Sequence, residues 1–114
     1  MASEPFVVLS QTVNLTASGT PANVQIQVPN PPLNYKFAVR IRNTAPNEVF
    51  VKFGIDNTVT ASAAVDTPIA PNSVEVFGVP DFINPSGPLT TLWVAIVAAA
   101  AAGAPTYFTL GKGL

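Results

Sequence analysis

Histidine and cysteine are both absent from this 114-residue sequence, and charged residues make up only 10% of it. Without cysteine there is neither a disulfide nor a thiolate metal ligand, and without histidine the commonest protein ligand for zinc, copper and iron is missing. Soluble domains carry about 25% charged residues on average, so this surface is either unusually neutral or covered by something else. Five Lys plus Arg against six Asp plus Glu leave a formal net charge of -1. Such a balance generates no long-range field to attract nucleic acid or an anionic membrane. It also removes the repulsion that holds small proteins apart, which favours self-association. The longest apolar run, residues 92–102, is too short to cross a bilayer as a helix. Met1-Ala2-Ser3-Glu4-Pro5 carries an acid and no basic cluster, unlike a secretory signal, so the expectation is synthesis for the cytoplasm.

What is present is a series of short β-type segments. Twelve prolines and seven glycines cut the chain into pieces, most of which alternate apolar and polar residues with period two. In 23–28, Val24, Ile26 and Val28 share one face; Pro29, Pro31 and Pro32 follow and cannot continue a ladder, because each lacks an N–H. The clearest alternation is 35–43, with Phe37, Val39 and Ile41 inward and Lys36, Ala38, Arg40 and Arg42 outward. Pro46 and Asn47 predict a tight turn, and 48–54 reads as the return strand of an antiparallel hairpin at the centre of the sheet. Residues 55–71 read as a long connection with one short strand near Val59. Further strands fall at 73–79, at 92–97 (apolar on both faces) and at 107–110, with 6–9 and 12–15 as weaker candidates and Gly111-Lys112-Gly113 as a flexible end. Seven or eight short strands without an amphipathic helix predict one all-β domain over residues 1–114: an antiparallel, jelly-roll-like β-sandwich or a small β-barrel, with a mobile N-terminal arm at 1–5.

Chemistry has little to work with. The acids Glu4, Glu48, Asp56, Asp66, Glu75 and Asp81 are scattered singly, and no spacing sets two carboxylates face to face as a glycosidase needs. Asp56, Asn57 and Asp66 could offer oxygens to calcium, but a calcium loop concentrates its acids within about a dozen residues; Asp56-Asn57 reads instead as a turn whose side chains bond their own backbone. No enzyme activity, cofactor or metal is therefore expected. Arg40 and Arg42, two apart on a strand, project from one face toward acidic groups on a neighbouring subunit or partner. Phe50, Phe77 and Trp93 join them as candidate interface residues; with Tyr107 and Phe108 the aromatics could alternatively form a sugar-stacking platform.

The stretch Val39-Arg40-Ile41-Arg42-Asn43 with Pro46-Asn47-Glu48-Val49-Phe50-Val51-Lys52-Phe53-Gly54 resembles small accessory virion proteins of tailed bacteriophages. So does the pairing of Thr67-Pro68-Ile69-Ala70-Pro71-Asn72-Ser73 with Tyr107-Phe108-Thr109-Leu110-Gly111. The resemblance covers about residues 37–114 and is one of sequence style, without a sharp motif. It implies a compact decoration, or cement, protein of the capsid surface, homotrimeric and bound to the major capsid protein, with no active-site residues to carry over. The alternative expectation is a carbohydrate- or receptor-binding module of a phage fibre or tail.

Overall fold

The computed structural model describes residues 7–28, 37–79, 91–99 and 103–112. Nine β-strands lie among them: β1 (Val7–Val8), β2 (Val13–Thr16), β3 (Ala22–Ile26), β4 (Ala38–Asn43), β5 (Val49–Gly54), β6 (Thr67–Ile69), β7 (Ser73–Gly78), β8 (Leu92–Val97) and β9 (Pro105–Lys112). They form two sheets in which every pairing is antiparallel. The first sheet runs β1-β9-β4-β7, with β2 also on β9; the second runs β3-β8-β5-β6.

β1 and β2 are one interrupted edge strand. Val8 faces Gly111 and Val13 faces Phe108, so residues 9–12 oppose only Thr109 and Leu110 on β9. This is a bulge, and it places four strand positions in each sheet. From β2 onward every connection except β5–β6 carries the chain to the other sheet. Eight antiparallel positions in two sheets with this winding are a jelly roll, the sandwich form expected from the strand spacing, and not a closed barrel.

Alternation explains the layers. Val39 and Ile41 on β4, Val49 and Val51 on β5, Leu92, Val94 and Ile96 on β8, and Phe108 and Leu110 on β9 are buried between the sheets. Each of the larger side chains contributes roughly 1.5–3 kcal/mol on leaving water. A second, smaller cluster lies on the outside of the second sheet, where Ala61, Ala95 and Val97 are buried against Phe50 and Val59. β8 therefore is covered on both faces, as its unbroken apolar sequence predicts. The 55–66 connection supplies the outer cover. Asn23 Nδ2 pins it by donating to the carbonyls of Asn57 (2.8 Å) and Val59 (3.1 Å).

Four sequence expectations are corrected. β4 and β5 do not form a hairpin: β4 pairs with β7 and β9, β5 with β6 and β8. The 44–48 segment is a corner between sheets, held by Asn43, whose side chain is 1% exposed. Its Nδ2 donates to the carbonyls of Asn47 (2.9 Å) and Ala70 (3.1 Å), while its Oδ1 accepts from Ala45 N–H (3.0 Å). The strand of the long connection lies at Thr67–Ile69 rather than near Val59, because Val59 packs its side chain onto the outer cluster. Gly111 and Lys112 belong to β9, paired with Val8 and Val7, and are not a flexible end. β9 also begins earlier, at Pro105, where the first strand position tolerates a missing N–H. The proline block at 29–32, Lys36 and the N-terminal arm at 1–5 fall outside the described residues.

Candidate functional site

The outer face of the first sheet carries the densest set of unusual side chains. On β4 the inward residues Val39, Ile41 and Asn43 alternate with exposed Arg40 and Arg42. Cross-strand register then builds two rows. Arg42 lies between Tyr107 on β9 and Val74 on β7, and Asn14 on β2 faces Tyr107 from beyond. Arg40 lies between Thr109 and Val76. Val74 and Val76 remain 56% and 39% exposed, a large apolar exposure for neighbouring positions on one strand.

These rows enclose an open depression of about 660 Å³ whose rim is completed by Thr12 and Thr44. Thr12 and Thr109 share a hydroxyl–hydroxyl hydrogen bond of 2.7 Å, which ties the bulge of the edge strand to β9. Thr44 closes the other end, its hydroxyl donating to the Pro105 carbonyl at 2.6 Å. Around that end lies a smaller hollow of about 180 Å³, lined by Arg42, Asn43, Thr44, Asn72, Ser73 and Val74. Among the described residues the larger depression is lined by two guanidinium groups and no carboxylate. Arginine forks suit carboxylates on another molecule, and the flanking Tyr107, Val74 and Val76 supply apolar contact around them.

The five interface candidates do not converge. Arg40 and Arg42 share this face. Phe77, on the opposite parity of β7 from Val74 and Val76, turns inward and packs half-buried on the core. Phe50 and Trp93 lie on the outside of the second sheet, across the sandwich. Phe50 is half-buried under the 55–66 connection. Trp93 is half-buried, in register with Gln25 on one side and Gly54 on the other. Sequence reasoning passed over Val74 and Val76 as members of the site. The signal was present in Ser73-Val74-Glu75-Val76-Phe77, where two valines share a face opposite an aromatic residue.

The two acids of the 55–66 connection serve local turns. Asp56 accepts from the Thr58 hydroxyl and from the Thr58 N–H at 2.9 Å. These bonds, the hydroxyl's first, hold the Asp56 carboxyl below the ordinary aspartate range, against a small opposing effect of desolvation. Asp66 accepts from the Ser62 N–H at 2.6 Å. Among the described residues no three His, Cys, Asp or Glu side chains come together as metal ligands, and no helix is long and apolar enough to cross a membrane.

No protein-family model matches this chain. No curated protein matches it either. Among solved structures, the crystal structure of PirA is similar over 88% of this chain and 91% of that one, with 12% identity and a TM-score of 0.47. A structure from the Bacillus endospore appendages, a family of disulfide-linked pili, is similar over 97% of this chain and 90% of that one, with 21% identity and a TM-score of 0.46.

Proposed function

We propose that this chain is a non-enzymatic structural β-domain of a virion, made in the host cytoplasm, that self-associates and decorates the capsid by contacting the major capsid protein. The observation that carries the reading is the outer face of the first sheet, where Arg40 and Arg42 stand between Tyr107 and the exposed Val74 and Val76. Arg and Tyr are the side chains that concentrate binding energy at protein interfaces, and a neutral surround lowers the desolvation cost of covering them. On a particle, many weak copies of such a contact add through multivalency.

Co-sedimentation with capsids tests this directly. The unaltered chain should bind and raise the temperature at which the capsid loses integrity. A chain carrying Arg40→Glu and Arg42→Glu should lose binding by roughly tenfold or more while keeping its fold, because both side chains are exposed. A strictly monomeric chain that ignores capsids would end this reading.

Trp93 supports a second reading, as a carbohydrate- or receptor-binding module of a fibre or tail. Its ring lies on an outer face beside Gln25, a combination of stacking surface and amide that suits a sugar. Reproducible glycan-array binding that Trp93→Ala abolishes would favour it over capsid decoration.

A further inference from the structure

We propose that β7 is a homophilic docking edge: two copies of this chain pair their β7 strands antiparallel about a two-fold axis, joining their first sheets into one continuous sheet. This rests on the self-association part of the reading above and gives it a two-fold symmetry, in place of the trimer implied by the sequence resemblance.

The edges of the sandwich are protected unequally. Natural sheets discourage edge pairing with short strands, prolines and bulges. The β1–β2 edge is broken by the 9–12 bulge, β6 has only three residues with Pro68 in the middle, and β3, the fourth edge, has five residues and adjoins β2 of the first sheet. β7 has six residues, Ser73–Gly78, with no proline, lysine or bulge, and it ends the order of the first sheet. Its orientation follows from one hydrogen bond. Val79 N–H donates to the Phe37 carbonyl at 2.9 Å, so residue 79 directs its backbone groups toward β4. Because these directions alternate along an antiparallel strand, the N–H and C=O groups of Val74, Val76 and Gly78 point to the outer edge. No described residue pairs with them there.

Three features specify a second copy as the occupant. Only a register that sets even-numbered residues against even-numbered residues lets both edges exchange bonds and keeps the outer faces aligned. Of the two longest such registers, the one placing Val74 opposite Val76 of the second copy also sets Glu75 against its own mate, a like-charge pair. The other places Val76 opposite Val76, Glu75 opposite Phe77, and Val74 opposite Gly78. In that register each valine at 74 lies beside a glycine over which a Cβ would meet nothing within 4 Å. Finally, the two Arg40 residues stand three strand spacings apart, about 14 Å, which is beyond the screening length at physiological salt. With a net charge of -1 the copies do not repel at longer range.

An edge about 20 Å long makes a small interface, so the dimer should be weak in solution, with a Kd of roughly micromolar to millimolar, and strengthened on a particle. Sedimentation equilibrium from about 1 μM to about 500 μM should show a rising mass, and Val76→Lys should weaken the association by roughly tenfold or more. The absence of cysteine makes a single introduced thiol a clean register probe. Val76→Cys should yield an oxidised dimer, since opposed Cα atoms lie about 5.5 Å apart. Val74→Cys should not, because its mate lies about 14 Å along the strand. Self-association that ignores Val76→Lys, with no cross-link at 76, overturns the β7 assignment and leaves self-association standing. A constant monomer mass overturns both. Loss of capsid binding in Val76→Lys without any change in mass would overturn self-pairing and leave Val76 to the capsid-contacting face alone.

Discussion

The side-chain amide of Asn43 donates to the backbone carbonyl of Ala70 at 3.1 Å, joining the end of β4 to the segment that leaves β6 for β7. One buried residue thus ties together two of the places where the chain changes sheets. It also receives the Thr106 hydroxyl on Oδ1 at 3.3 Å, which brings in β9. Asn43→Ala takes the acceptor away from the buried Ala45 N–H and Thr106 hydroxyl, and the expected loss is about 2–4 kcal/mol of stability. A lower urea midpoint at an unchanged denaturant slope would show it.

A close approach between Gly54 and Val59 sets the second prediction. A Cβ on Gly54 would lie 2.6 Å from the Val59 Cβ, so Gly54→Ala must displace the connection that covers the outer cluster. The expected cost is about 1–3 kcal/mol. Val59→Gly in the same chain, which removes the clashing Cβ, should relieve that contact, and a double-mutant cycle on thermal unfolding measures the coupling.

The bulge of the edge strand contains two hydroxyls with opposite fates. Thr12 and Thr109 bond each other at 2.7 Å, whereas the Ser10 hydroxyl is buried with no hydrogen-bond partner among the described residues. Thr109→Val should therefore destabilise by about 1 kcal/mol, and Ser10→Ala should be neutral or stabilising by a similar amount. A lower chemical-denaturation midpoint for Thr109→Val, and an unchanged or higher one for Ser10→Ala, is the expected result.

Asp56 gives a pH-dependent prediction with a definite sign. Hydrogen bonds from Thr58 lower its pKa in the folded chain. Its contribution to the turn is then fully present above the ordinary aspartate value and is lost as pH falls through the lowered folded value. Carboxyl NMR titration should place Asp56 below an ordinary aspartate, and Thr58→Ala should move it upward. An unchanged titration in Thr58→Ala would remove the hydroxyl as the cause. Because the carboxylate is exposed, the effect on global unfolding should be small.

Much of the fold was legible in the pattern of residues. Alternation identified the buried face of β4, and the unbroken apolar run of β8 foretold its cover on both sides, because side-chain direction along a strand is a local property. The candidate site was legible in part. Arg40 and Arg42 share a face by spacing alone, but their neighbours Tyr107, Val74 and Val76 lie 32 or more residues away in the chain, and no local pattern states that register. Phe77 shows the same limit, since an aromatic residue at strand period points to core or solvent according to which face its sheet buries.

The sequence by itself determined that this is an all-β chain without thiol or imidazole chemistry, with little charge and with strands that bury one face. Those are consequences of composition and of the two-residue repeat. Only the tertiary structure decided that the turn after β4 is a corner between sheets and not a hairpin, and that β7 ends a sheet with its valines outward. Turn residues set the local direction of the chain, but which strand it meets next depends on distant partners. Here the decisive ones are the carbonyls of Asn47 and Ala70, which satisfy Asn43 only when the chain crosses to the other sheet.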